Sequence, residues 1–317
     1  MNSWLGVDCG SASVKMALID EEENLINSCY HRNKGLIETI KQGLEEFSDK
    51  GYDICGVGGT GSGREFTKIL IGGDLIKSEV LAHVVGTLKY YPDTQVVSDI
   101  GGEDSKLMIV RDGILEDFIL NNSCSSGTGS SLESIAIRLG IPIEEVGEYA
   151  LQSKKNLNIS TKCGVFMTSA AINHLNNGAK KEDILMGVVR GMVANYLTMA
   201  QGKDLKSQHI YTGMTARNPA IVKAFNEQLE HEVEVPEYAP IMGAIGMALI
   251  VKREGVYESD FKGFDVKDIN YKVKTITSNR CENACEISYL SNEHGLLGCL
   301  GNRCDDCSIR PSSMRKK

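Results

Sequence analysis

An internal repeat constrains this chain more than any other feature. Residues 5–20, LGVDCGSASVKMALID, read as a strand ending near Asp8, a tight turn of small residues, and a second strand. Residues 96–110, VVSDIGGEDSKLMIV, repeat the design: Asp99 closes the strand, and Lys106 follows it by seven positions, as Lys15 follows Asp8. The two segments align without a gap at an offset of 91 residues, which implies two domains of one design. A single hairpin of this kind is most often just a hairpin. Two facing one another make a cleft for the phosphates of a nucleotide. Small turn residues such as Gly10, Ser11 and Ser13 let backbone N–H groups turn toward an anion, and the two aspartates are available to Mg2+ and water.

The second feature is a pair of cysteines. Cys124 stands in a Ser/Gly-rich turn before a run in which Leu132, Ile135, Ala136 and Leu139 recur at helical spacing. Cys163 likewise precedes a helix-like run, and no other cysteine lies between the two. A cubane iron–sulfur cluster usually takes four thiolates, so two per chain suit a cluster shared by two copies about a twofold axis. Helix N-termini tolerate such an anionic unit, because unpaired N–H groups and the positive dipole end face it. The plain alternative is that a cysteine in a Ser/Gly turn is a small residue that fits.

The chain has 317 residues, 42% of them apolar and 24% charged, enough for two ordinary globular domains. A net charge of −8 argues against a nucleic-acid binder. The longest apolar run, residues 241–251, is too short to span a bilayer. The first residues lack a signal-peptide pattern, so a cytoplasmic protein without a membrane partner is expected. In that compartment ten cysteines point to metal or redox chemistry rather than disulfides. Cys9, Cys29 and Cys55 are scattered and read as passive, whereas Cys281, Cys285, Cys299, Cys304 and Cys307 crowd into the last 37 residues.

Elsewhere, residues 35–47 read as an amphipathic helix and residues 54–60 as a strand entering the loop 61–64. Residues 79–83 open a helix, and residues 181–201 form a long helical segment. Arg64 reads either as a phosphate or interdomain contact or as an exposed loop arginine, and His83 as a satisfied helix histidine. Residues 209–225, HIYTGMTARNPAIVKAF, read as strand, turn and helix, with Asn218 as cap and Pro219 in the first turn. Residues 238–250 form a small-residue helix expected to close the second domain.

Taken together, the repeat, NSCSSGTG at 122–129, KCGVF at 162–166 and GMTARN at 213–218 resemble the ATP-dependent activators of 2-hydroxyacyl-CoA dehydratases and the ATPase subunits of benzoyl-CoA reductases. TGSGR at 60–64 and EVLAH at 79–83 are similar to that family's strings, and the resemblance covers about residues 4–252. It implies an α/β, actin/hexokinase-like fold of duplicated ribonuclease H-like domains. The expected division is 1–95 and 96–252, with a Cys-rich extension over 253–317. It implies ATP and Mg2+ as cofactors, and a homodimer bridged by one [4Fe-4S] cluster on Cys124 and Cys163 of both chains. Its implied electron donor is ferredoxin or flavodoxin, and its acceptor an iron–sulfur acyl-CoA dehydratase or reductase. By the same resemblance, Asp8, Gly10, Ser11, Ser13 and Lys15 form the first phosphate loop and Asp99, Gly101, Gly102, Glu103, Asp104 and Lys106 the second. Gly127 and Gly129 adjoin the nucleotide, and Gly213, Met214, Ala216 and Asn218 belong to the adenosine turn. Asp8, Asp99 and Glu103 are the candidates for metal and water positioning.

Two departures stand out. Glu103 occupies a position where the family often has glutamine, which bears on the hydrolysis rate. The five tail thiols, separated by three, thirteen, four and two residues, suit a second iron–sulfur cluster or Zn2+, or else a disordered thiol-rich tail. Two other functions use the same cleft: a small-molecule kinase, which leaves Cys124 and Cys163 without a role, and a non-catalytic nucleotide- or metal-binding regulator.

Overall fold

The computed structural model describes residues 1–48, 50–121, 128–159, 163–205, 208–279 and 281–303; Cys124, Gly127, Cys304 and Cys307 lie outside them. The first half is a five-stranded sheet built from β1 (Asn2–Cys9), β2 (Ser13–Ile19), β3 (Leu25–Arg32), β4 (Asp53–Thr60) and β5 (Leu75–Ile76), in the order β3-β2-β1-β4-β5. β1 is buried from Ser3 to Cys9 because helices cover both faces of the sheet, which is why it reads as a continuous rather than an alternating apolar run. On one face lie α1 (Leu36–Glu45) and α2 (Arg64–Ile71), which share a core with Val7, Met16, Leu18 and Val57.

The second half repeats the plan with β6 (Val96–Ile100), β7 (Ser105–Arg111), β8 (Ile114–Leu120) and β9 (His209–Thr212), ordered β8-β7-β6-β9. Its core is filled by α4 (Gly129–Leu139), α5 (Val146–Leu151), α6 (Gly164–Asn176), α7 (Lys181–Leu197) and α8 (Pro219–Leu229). The four apolar residues that suggested α4, Leu132, Ile135, Ala136 and Leu139, are its buried face. Asn218 caps α8 by accepting from the N–H groups of Ala220 and Ile221, behind Pro219, as the sequence predicts.

Two helices cross between the halves. α3 (Glu79–Tyr90) sends Val80 and Val84 onto Val97, Met108 and Val110 of the second sheet. α9 (Met242–Arg253) lies on the first sheet, with Ala244, Met247, Ala248 and Val251 packed among Trp4, Ala17 and Cys55. The expectation that this helix closes the second half is therefore corrected. Each of its residues from Met242 to Val251 is buried, and a helix buried all round carries no sequence signal of which sheet it covers. α3 and α9 touch through glycine: a Cβ on Gly246 would lie 1.7 Å from the Ala82 carbonyl oxygen, and one on Gly86 would lie 2.4 Å from that of Met242.

Glu23, in the turn between β2 and β3, ties down the ends of both crossing helices. It accepts from Arg253 Nε and a terminal guanidinium nitrogen at 2.9 and 2.7 Å, and pairs with Lys89 at 3.4 Å and Lys252 at 3.8 Å. The Arg253 hydrogen bonds, with the nearby positive charges, outweigh desolvation and hold its carboxyl at about 2 against an ordinary 4.5. A carboxyl lowered in the folded state stabilises above its unfolded pKa and loses that contribution as protons return to it. Acid titration is expected to cost wild type stability between about pH 4.5 and 2 that Glu23→Gln does not lose, read as two converging denaturation midpoints.

The tail through Arg303 is folded. β10 (Lys272–Thr277), β11 (Glu286–Asn292) and β12 (Gly295–Leu300) form an antiparallel sheet in the order β10-β11-β12. Val266 and Leu290 are buried in the core under the first sheet, and Leu297 packs against it. A disordered tail is thus excluded for the described residues. No helix among them is long and apolar enough to cross a membrane.

Candidate nucleotide cleft

The two hairpins of the repeat have the same register. Asp8 pairs with Lys15 across β1 and β2, and Asp99 with Lys106 across β6 and β7. Each turn is closed by the same bond, Gly10 N–H to the Ser13 carbonyl and Gly101 N–H to that of Asp104, both at 2.9 Å. The duplication goes further than the sequence reading did. Beside each aspartate runs a parallel strand ending in threonine, Thr60 next to Asp8 and Thr212 next to Asp99. Each threonine is followed by a glycine with positive φ, 83° at Gly61 and 88° at Gly213. A Cβ on Gly61 would meet Asp8 Oδ1 at 2.7 Å, and one on Gly213 would meet Asp99 Oδ1 at 2.6 Å. Glycine is required there on two grounds, the backbone angle and the carboxylate packed against it.

Both halves contribute charge to one buried cluster. Lys15 lies 3.1 Å from Asp8. Lys106 lies 3.3 Å from Asp99, 3.0 Å from Asp104 and 3.5 Å from Glu79. His83 Nε2 is 3.9 Å from Asp99, and Thr212 Oγ1 sits 3.3 Å from His83 Nδ1 and 3.5 Å from Asp99. Burial alone would pull Lys106 toward neutrality, but the charges of Asp99, Glu79 and Asp104 prevail and hold its pKa above the ordinary value. Burial likewise opposes the charge of Asp99, and His83, Lys106 and Lys15 together keep its carboxyl below the usual range. Glu79, desolvated and near Asp104 and Asp8, is raised despite Lys106. Glu79 and His83 thus join the buried cluster; sequence reasoning placed both in a familiar string and read His83 as a satisfied helix histidine, which its bond with Thr212 agrees with. Their one signal was the four-residue spacing that puts both on one face of α3.

The turn tips meet: a Cβ on Gly102 would fall 2.3 Å from that of Ala12. α4 is bonded directly to the second turn, Gly129 N–H to the Gly101 carbonyl at 2.9 Å and Ser130 N–H to that of Gly102 at 2.8 Å. The turn over 213–218 joins it through Thr215 Oγ1, which donates to the Ile100 carbonyl at 2.6 Å. Ala216 in that turn is buried and Met214 exposed. Arg32 at the end of β3 reaches Glu133 on α4 at 2.6 Å, a bridge from one half to the other. Glu103 and Ser11 are exposed on their turns and stand apart from the buried cluster. Arg64 is exposed and donates to the Gly61 carbonyl of its own loop, so among the described residues it is the exposed loop arginine rather than an interdomain contact.

Cys163 is the N-cap residue of α6, with the apolar and exposed Val165 and Phe166 beside it. α6 packs against α4, the helix that follows Cys124 in sequence. Cys281 is exposed, Cys285 buried and Cys299 half-buried, all on the tail sheet and its first turn rather than in the cleft. The end of β12 nevertheless approaches the first hairpin turn: a cavity of about 350 Å³ is lined by Gly10, Ser11, Asn33, Gly63, Leu300 and Gly301.

The chain is similar to proteins with this chemistry. The (R)-2-hydroxyglutaryl-CoA dehydratase activating ATPase of Acidaminococcus fermentans is 29% identical over 249 residues, 77% of this chain and 95% of that protein. The solved structure of the activator of 2-hydroxyisocaproyl-CoA dehydratase from Clostridium difficile, with bound ADPNP, superposes with a TM-score of 0.74 at 28% identity, covering 80% of this chain and 95% of the activator. A ROK family glucokinase from Streptomyces griseus, at 12% identity and TM-score 0.53 over 79% of this chain and 99% of its own, shares the fold alone. The architecture is therefore actin/hexokinase-like. Residues 5–251 match the BadF/BadG/BcrA/BcrD ATPase family, and the chain belongs to it.

Proposed function

We propose that this chain is a cytoplasmic reductive activator that hydrolyses ATP between its two hairpins and passes single low-potential electrons to a partner iron–sulfur acyl-CoA dehydratase or reductase. The observation that carries the reading is the pair of backbone bonds from Gly129 and Ser130 to Gly101 and Gly102, which couple a phosphate turn to the helix following Cys124. Triphosphate entering between the turns must part Ala12 from Gly102, and α4 moves with the turn to which it is bonded. Lys15 and Lys106, now on carboxylates, gain phosphate oxygens as alternative partners. Asp8 and Asp99 would hold Mg2+ and its waters, and Glu103, carried at the turn tip, would face the attacking water once nucleotide is seated.

The residues fit an iron–sulfur group. Cys163 offers a thiol at a helix N-terminus, where backbone N–H groups favour a thiolate, and Val165 and Phe166 present an apolar surface suited to a second copy of the chain. Cys124 would complete the pair, and the same two residues of the second copy the set of four. A [4Fe-4S] cluster so held would supply the one-electron chemistry, refilled by ferredoxin or flavodoxin. In the tail, Cys281, Cys285 and Cys299, with Cys304 and Cys307, are proposed ligands of a second cluster or Zn2+. The proposed division along the sequence is two ATPase halves, 1–95 and 96–252, the second of which sends α9 back onto the first sheet, and the extension 253–317.

The test uses the anaerobic full chain, reduced ferredoxin and a purified iron–sulfur acyl-CoA dehydratase. Dehydratase turnover is expected to require this chain and ATP together, and to fail with a non-hydrolysable analogue. Transfer of the γ-phosphate to a small-molecule acceptor, with no activation, would establish the kinase instead.

A further inference from the structure

Cys29 and His31 alternate along β3 and therefore share a face, opposite Met16 and Val14 of β2 and toward α1. Glu46, the residue after α1, is brought to that face by its own cap bonds to the Gly43 and Leu44 carbonyls. A hydrogen bond from the Asn27 side chain to its carbonyl, at 3.2 Å, ties it to the same strand. One donor atom from each of Cys29, His31 and Glu46 lies within 4.8 Å of the others. We propose that these three residues form a divalent transition-metal site whose natural occupant is Zn2+, separate from the nucleotide cleft and from the tail thiols.

The donor set is one sulfur, one imidazole nitrogen and one carboxylate oxygen. Zn2+ favours this mixture, and three protein ligands leave a fourth position for water. Donors around one zinc ion stand about 3 to 4 Å apart, so the trio needs only small side-chain adjustments, which the half-exposed Glu46 permits. His31 Nε2 is buried and lies 2.6 Å from Glu46 Oε1, yet it has no hydrogen bond. With the Cys29 sulfur beside this nitrogen and this carboxylate oxygen, three possible ligand atoms of different elements face one another closely enough for one ion to gather them. Burial, and then the charge of Glu46, push the Cys29 thiol to about 12, so without metal it stays protonated. Binding is an exchange in which the Cys29 S–H bond gives way to a sulfur–metal bond, the proton leaves to solvent, and nothing is oxidised or reduced. The ion would pin edge strand β3 to α1, and β3 ends at Arg32, which pairs with Ser13 of the first phosphate turn.

The experiment loads the full-length chain, purified anaerobically, with Zn2+, removes loosely held ion by gel filtration, and counts zinc by elemental analysis. Wild type is compared with Cys29→Ser and His31→Asn. The tail thiols and the iron–sulfur ligands are the same in all three, so only the difference counts. Wild type is expected to retain about one zinc ion per chain more than either variant, and Co2+ in its place to give a thiolate charge-transfer band of which a share is lost in both. Equal zinc in the three proteins would overturn the site, leaving a buried thiol beside an ordinary ion pair. So would loss in Cys29→Ser alone, which would mark a thiol reacting without the imidazole. Should Cys29→Ser fail to fold, His31→Asn and Glu46→Gln decide, both changes being at the rim.

Discussion

Asp99→Asn is expected to lower the turnover of ATP by about 1,000-fold, the scale set by loss of one preorganised charged group aimed at a reacting phosphate. The substitution keeps the shape of the side chain and its ability to accept from Lys106, so the hairpin and the fold should survive. What disappears is the negative charge that His83, Lys106 and Lys15 hold in place. ADP affinity should change far less, because the turn amides and the 213–218 turn are untouched. Turnover and ADP binding measured on one preparation check this. Hydrolysis within a few fold of wild type would remove Asp99 from the machinery and shift the metal-holding role to Asp8 alone.

Gly246→Ala is the second large effect, and it sets two physical terms against each other. In an exposed helix interior alanine is better than glycine by about 1 kcal/mol. At position 246 the new methyl would sit 1.7 Å from the Ala82 carbonyl oxygen and 2.8 Å from Gly86 N, both backbone atoms that cannot rotate away. Overpacking of this kind costs about 3 kcal/mol, so the net expectation is destabilisation by about 2 kcal/mol, a fall in Tm of roughly 3 °C for a chain of this size. Because α3 and α9 are the helices shared between the halves, nucleotide binding should weaken as well. A Tm equal to or above that of wild type would show that the two helices do not approach as closely as this account requires.

These two sites differ in how far the sequence announced them. The hairpins were legible because a turn is local chemistry: Asp, small residues and Lys recur at fixed spacing, and each pair meets across one antiparallel ladder. The Thr60-Gly61 and Thr212-Gly213 corners do the same work beside each aspartate but were missed. Thr60 follows Asp8 by 52 residues and Thr212 follows Asp99 by 113, the difference being the block from α4 to α7, so no common offset links them. The crossing of α9 onto the first sheet was invisible for a different reason, since its glycines signalled a close approach but not the partner. The first two tail strands had an ordinary signal, with β-branched and aromatic residues such as Val273, Ile276, Ile287 and Tyr289 before the turn at Glu293 and His294, that was overshadowed by the cysteines. The site residues Glu79 and His83 could be ranked only once α3 was seen to face Asp99 and Lys106.

The central claim is that this ATPase holds a cluster between two copies, so the most direct measurement is iron and acid-labile sulfide on the anaerobically purified chain, together with its mass in solution. Because Val266 and Leu290 of the tail are buried under the first sheet, the comparison keeps the chain whole and changes only Cys124 to serine. Wild type is expected to be a dimer carrying about four irons and four sulfides more than the variant, and the variant to be a monomer that still binds ATP. If Cys124→Ser keeps all its iron and its dimer, no cluster bridges the chains, any iron belongs to the tail, and the electron-transfer account is wrong.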